Sequence, residues 1–133
     1  MDNNSNIIPL ETWEKMTPLI KSGVMPAPFI QELFLMECDI AGTGYVDGIE
    51  KICDSLPEEA ILTFVREPKN PHDVFAIRID SANGEKLGYV PRRKNEVLAR
   101  LMDGGKLLYG KILKKEIVND WVNIRIKVFM RDL

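Results

Sequence analysis

From Trp121 to Met130, every second residue is apolar: Val122, Ile124, Ile126, Val128 and Met130 alternate with Asn123, Arg125 and Lys127. A sustained period of two means a β-strand with one buried and one wet face. Such a strand needs partners for its backbone N–H and C=O groups, so the chain must supply a sheet. The partners are legible. Lys106 to Val118 is a long strand, with a bend expected at Gly110, and the two-residue turn Asn119-Asp120 joins it to the last strand. Leu33 to Ala41 alternates, with Phe34, Met36, Cys38 and Ile40 expected toward the core. Ala60–Glu67, Phe75–Asp80 and Lys86–Val90 complete the set. In the middle one, Phe75, Ile77 and Ile79 share a face opposite Ala76, Arg78 and Asp80. Asn83-Gly84 between the last two is a strong hairpin signal. Six strands at this spacing predict a mainly β fold, a small closed or nearly closed barrel.

A few short helices accompany the strands. Pro9 to Lys21 is expected to be amphipathic, with Leu10, Trp13, Met16, Thr17 and Ile20 on one face and Glu11 and Glu14 near the positive helix end. Gly23 closes it, Pro26 and Pro28 make an extended connector, and Trp13 is expected to anchor the arm against the barrel. Ile49 to Ser55 reads as a turn or two of helix with Ile49, Ile52 and Cys53 inward. Asn95 to Asp103 reads as a helix capped by Asn95, with Val97, Leu98, Leu101 and Met102 buried. The expected organisation is a disordered tail at 1–8, a helical arm and Pro-rich connector at 9–32, and the barrel domain at 33–133.

No apolar run approaches the ~20 residues needed to span a bilayer. The N-terminus lacks the basic and apolar regions of a signal peptide, so a cytoplasmic location and reduced Cys38 and Cys53 are expected. Two Cys and one His, scattered along the chain, do not make metal-ligand spacing, and no metal or other cofactor is expected. The charge is uneven. Residues 1–59 carry Lys15, Lys21 and Lys51 against eleven acids, a net −8, while 60–133 carry fifteen cations against nine acids, a net +6. That asymmetry points to a polyanion partner.

The chemistry gathers at 62–92. Between strands lies Arg66-Glu67-Pro68-Lys69-Asn70-Pro71-His72-Asp73, and Leu87-Gly88-Tyr89-Val90-Pro91-Arg92-Arg93 follows the next hairpin. A plain connector would not need Arg66, Lys69 and His72 among its prolines. Single strands of nucleic acid are held by aromatic platforms beside a cationic groove. His72 and Tyr45, the latter within the glycine-rich bend Gly42–Gly48, can stack on bases; Lys69, Arg92 and Arg93 can neutralise phosphate. A carboxylate repels phosphate, so Asp73 fits such a site only where a hydroxyl arrives instead. The plainer alternatives are Asx turns at Asn70 and Asp73, and an ion pair between Arg66 and Glu67 or another acid.

These blocks, together with Ala76-Ile77 and Leu98-Ala99-Arg100-Leu101-Met102-Asp103-Gly104, resemble the HIRAN domain, over roughly residues 33–130. That domain is found in helicase-like transcription factors acting in replication-fork remodelling. The resemblance implies a modified OB-like β-barrel, six-stranded here, that binds single-stranded DNA at its 3′ end and works in DNA repair, with a DNA-processing protein as a further partner. It implies that Asp73 accepts a hydrogen bond from the 3′-hydroxyl, that Tyr45 lines the pocket and that Arg92 meets phosphate. Tyr89 falls within the matching Leu87–Arg92 block and joins the expected binding set of Tyr45, Arg66, Lys69, Asn70, His72, Asp73, Tyr89, Arg92 and Arg93. Two positions depart from the pattern: His72 stands where relatives carry Tyr, and Gly44 where they carry Arg.

Tyr45, His72, Asp73 and Arg92 are therefore expected to converge at one end of the barrel. An enzyme is disfavoured, since no nucleophile, metal cluster or phosphate loop stands at a recognisable spacing. The rival reading is a protein-interaction module with the acidic N-terminal arm as its docking surface.

Overall fold

The structure is a computed structural model and describes residues 31–132. The expected tail and the helix at Pro9–Lys21 lie outside the described residues. Six strands form one antiparallel sheet: β1 (Gln31–Asp39), β2 (Ile61–Arg66), β3 (Ile77–Asp80), β4 (Lys86–Tyr89), β5 (Leu107–Val118) and β6 (Trp121–Asp132). Their order is β1-β6-β5-β2-β3-β4, which curls the sheet into a half-barrel. A 3-10 turn at Thr43–Tyr45 and two helices, α1 (Ile49–Ser55) and α2 (Arg92–Asp103), complete the described elements.

The curl is drawn together at one point. Past the end of β1, the Ala41 amide donates to the Tyr89 carbonyl (2.8 Å) and the Tyr89 amide to the Ala41 carbonyl (2.9 Å), linking the two edges of the sheet. Gly88 makes this possible. A Cβ there would overlap the Ala41 carbonyl oxygen and stand 2.6 Å from Ile40 Cγ2. Thr43 Oγ1, buried, donates to the Val122 carbonyl at 2.8 Å and ties the turn after Ala41 to β6.

The alternation in β6 behaves as expected: Val122, Ile124, Ile126 and Val128 are buried and pack with Leu62, Ile77, Ile79, Leu87, Leu98 and Ile112. Burying each such side chain contributes roughly 1.5–3 kcal/mol. The Asn119-Asp120 turn has positive φ at both residues (50° and 66°), the geometry whose twist matches paired strands. Lys115 donates to the Cys53 (2.9 Å) and Leu56 (2.5 Å) carbonyls, satisfying and neutralising the C-terminal end of α1. Cys38 and Cys53 are free, buried thiols, which burial pushes above the usual thiol range.

Four local expectations are corrected. The period of β1 slips between Phe34 and Met36, so Cys38 and Ile40 are buried but Phe34 is 54% exposed on the outer face. The bend in β5 falls between Ile112 and Lys114 and not at Gly110, whose lack of a side chain instead admits the Phe64 ring. β3 begins at Ile77, because the amides of Phe75 and Ala76 are spent on a turn at Asp73. α2 begins at Arg92 behind Pro91, so Asn95 is no cap; it lies inside the first turn, 3% exposed. The buried arc of α2 therefore centres on Asn95, Leu98, Ala99 and Met102, leaving Val97 62% exposed.

Candidate functional site

The loop between β2 and β3 is fastened by its own polar side chains. Asn70 Oδ1 accepts the His72 amide (2.9 Å), and Asp73 Oδ1 accepts the Phe75 amide (2.9 Å). Both Asx turns read from the sequence are therefore formed. Glu67 is the hub beneath them. Its Oε1 accepts Asn70 Nδ2 (3.0 Å) and the Tyr89 hydroxyl (2.8 Å), while Arg78 Nη1 reaches Oε2 at 3.3 Å. Burial pushes the Glu67 carboxyl up, but the hydrogen bonds from Asn70 and Tyr89 and the charge of Arg78 outweigh it and leave it below the usual range. Burial and then the bond to Glu67 push the Tyr89 phenol up.

The loop forms one wall of a cleft of about 390 Å³, lined by Asn70, His72, Asp73, Tyr89, Arg92 and Asn95 together with Ala41, Gly42, Ala76, Lys86 and Val90. Asp73 is part of this lining and bridges loop to helix. Its Oδ2 accepts Asn95 Nδ2 at 2.7 Å and stands 3.6 Å from Arg92 Nε. The Phe75 amide, then Asn95, then the Arg92 charge hold its carboxyl below the usual range, so it is an ionised acceptor at neutral pH. The Asp73 side chain is 18% exposed, whereas that of Arg92 is 70% exposed and also donates to the His72 carbonyl. The His72 ring is exposed at the rim. Tyr89 is a fixed wall, its hydroxyl engaged and the Lys86 ammonium 4.8 Å from its ring centre.

The start of α2 runs against ordinary helix electrostatics. Its first three residues are Arg92, Arg93 and Lys94, with no acid in the first turn and no side-chain cap. Cations at the positive end of a helix dipole are disfavoured by about 0.3–1 kcal/mol each. Lys94 is occupied by the Glu37 carbonyl (2.9 Å). Arg92 faces the cleft, with the Asp73 carboxylate 3.6 Å away and its own side chain still 70% exposed.

The structure brings Asn70, His72, Asp73, Tyr89 and Arg92 together and leaves out the rest of the expected set. Arg66 is a structural ion pair: its Nε and Nη2 grip Asp103 at 2.9 and 3.0 Å, and Nη1 donates to the Ala76 carbonyl. Arg93 lines a separate groove with Met36 and Val97. Lys69 is exposed and does not line the cleft. Tyr45 is 93% exposed and also outside the lining, although Gly42, three residues before it, is part of it. Next to Tyr45, a Cβ on Gly44 would stand 2.7 Å from the Trp121 ring, so the indole occupies the space a larger residue would need. Asn95 and Lys86 were missed. Asn95 carried a signal, a polar residue on the buried arc of a helix, but its position beside Pro91-Arg92 reads equally well as a cap.

Residues 33–131 match the model of the HIRAN domain. The chain is 32% identical over 60 residues to the helicase-like transcription factor of Oryctolagus cuniculus, a stretch that is 45% of this chain and 6% of that relative. A crystal structure of a Lactobacillus plantarum protein superposes with a TM-score of 0.71 at 26% identity, covering 78% of this chain and 99% of that one. The HIRAN domain of HLTF, solved by NMR in its DNA-bound conformation, shares the fold with a TM-score of 0.53 at 18% identity, over 76% of this chain and 79% of that one. With a family model covering most of its length and the cleft formed by the same sequence blocks, the chain belongs to the HIRAN domain family.

Proposed function

We propose that this chain is a non-enzymatic module that binds single-stranded DNA, and that its cleft receives the 3′ end. The observation that carries the reading is Asp73: an ionised carboxylate held by two donors, next to the largely exposed guanidinium of Arg92. An ionised carboxylate can only accept, so its complement is a hydrogen-bond donor, and at a DNA 3′ end the terminal hydroxyl supplies one. Arg92, at the uncapped start of α2, takes the phosphate that precedes that hydroxyl. The exposed His72 ring offers the terminal base a stacking surface, worth roughly 1–3 kcal/mol. A relative of the same fold solved in its DNA-bound conformation supports the ligand class. Free 3′ ends arise in DNA repair and at remodelled replication forks, and there we place its work.

The test is a salt titration of oligonucleotide binding by fluorescence anisotropy. Affinity falls with log salt, and Arg92→Ala weakens free and blocked ends alike while making the slope shallower by about 0.7 for the one phosphate lost from a single strand. Absent or salt-independent binding would favour the protein-interaction reading instead.

A further inference from the structure

The outer face of the sheet, opposite the core and independent of the cleft, carries an apolar patch. Phe34, Phe129 and Tyr109 lie in register across β1, β6 and β5. Phe34 meets Phe129 edge-on at 5.8 Å and Tyr109 stacks on Phe129 at 5.7 Å. Leu107, 58% exposed, and Ile61, 53% exposed, flank the row. Lys111 sits 4.9 Å from the Phe129 ring centre and Arg131 5.3 Å from that of Tyr109, with Lys127 beside them. Glu32 takes part of that charge through Lys111 at 3.2 Å. Tyr109 is 7% exposed although it points away from the core, and its hydroxyl and Arg131 Nε are buried with no hydrogen-bond partner among the described residues. Polar groups in that state call for a partner from elsewhere.

We propose that this face seats the chain's own N-terminal arm, residues 9–21, through Trp13. Four observations select this occupant over others. The family model begins at residue 33, so the arm is an addition to the domain and not part of its barrel. The arm enters the sheet at Gln31, three residues from Phe34 and on the edge strand that borders the patch. The connector 22–30 reaches about 30 Å if extended, and the patch spans three strands, about 10 Å. The expected helix offers the stripe Leu10, Trp13, Met16 and Ile20, with Glu14 on its flank toward Lys127 and Arg131. An amphipathic stripe of this kind is stable in water only against an apolar partner.

Trp13 and Trp121 are the two tryptophans, so Trp121→Phe in the full chain makes Trp13 the sole reporter. In that background, acrylamide quenching of Trp13 is expected to be weak in the folded protein. Phe34→Glu should raise it to the level of the urea-unfolded chain. Lys127→Glu, a gentler change on the wet side of the same face, should raise it part-way, with an effect that fades as salt is added. Circular dichroism melts separate arm release from loss of the fold, and Lys127→Glu decides the matter if Phe34→Glu does not fold. The proposal is overturned if Trp13 in the parent is already as accessible as in the unfolded chain, or if Lys127→Glu leaves it protected. Protection lost on dilution would assign the face to a second copy, and protection lost on adding a single strand would put the arm over the cleft; either result also overturns it.

Discussion

Replacing Asn95 by Ala isolates the bond that joins loop to helix. Asn95 is 3% exposed and its Nδ2 stands 2.7 Å from Asp73 Oδ2. A hydrogen bond to a charged group typically contributes about 1.5–3 kcal/mol. Little can replace it: Asp73 is 18% exposed, and Arg92, 3.6 Å away and 70% exposed, is screened by water. The expected loss at pH 7 is therefore about 2 kcal/mol, or roughly 6–10 °C in Tm for a domain of this size. The loss should depend on pH in one direction. The Phe75 amide and Asn95 hold Asp73 below its usual range, so its contribution is complete above the unfolded carboxyl value and disappears as pH falls through the folded one. The deficit of Asn95→Ala should accordingly be full at pH 7 and shrink below about pH 4. Asn95→Asp puts a second carboxylate against the first, so it should be worse than Ala at pH 7 and recover on acidification, when one shared proton restores a donor. Urea melts of the parent and both variants at neutral and acid pH measure this. A deficit for Asn95→Ala that is the same at both, or an Asn95→Asp no worse than Ala at pH 7, would refute a charge-assisted bond.

Gly44 and Trp121 should behave as a coupled pair. Gly44→Ala pushes a Cβ to 2.7 Å from the indole, so it destabilises the parent, and Trp121→Ala relieves much of that cost; a double-mutant cycle should read roughly 1 kcal/mol of coupling. Arg66→Ala should lower Tm through the lost grip on Asp103 and Ala76 while leaving DNA affinity unchanged in anisotropy, which separates the structural cation from the ligand-facing Arg92.

The strands were legible because alternation and turn chemistry are local. Val122 to Val128, the Asn119-Asp120 turn and the Asn83-Gly84 hairpin all form where the pattern placed them. What failed was set by register and tertiary pairing. Nothing in Phe34-Leu35-Met36 announces the slip in β1 that exposes Phe34, since one added residue reverses every later side chain. Arg66 reads as a cation beside the loop, yet its partner Asp103 lies 37 residues away at the end of α2. Asn70 and Asp73 were readable both as turn formers and as cleft residues, because an Asx turn spends one side-chain atom and leaves the other to reach elsewhere: Asn70 Nδ2 to Glu67 and Asp73 Oδ2 to Asn95. Tyr45 lies in the bend that its glycines announce, with its ring 93% exposed and outside the lining that Gly42 joins.

Whether Asp73 reads a hydroxyl is tested by one anisotropy experiment. Matched oligonucleotides ending in a free 3′-hydroxyl or a 3′-phosphate are titrated against the parent and Asp73→Ala, with thermal melts run alongside because Asp73 also ties its loop. The parent should prefer the free end. Asp73→Ala should lose roughly ten- to a hundredfold on that end, the equivalent of one charge-assisted hydrogen bond, and lose nothing on the phosphorylated end, where a repulsion has been removed. A folded Asp73→Ala that binds both ends as the parent does would contradict the account and leave Asp73 as a turn residue alone.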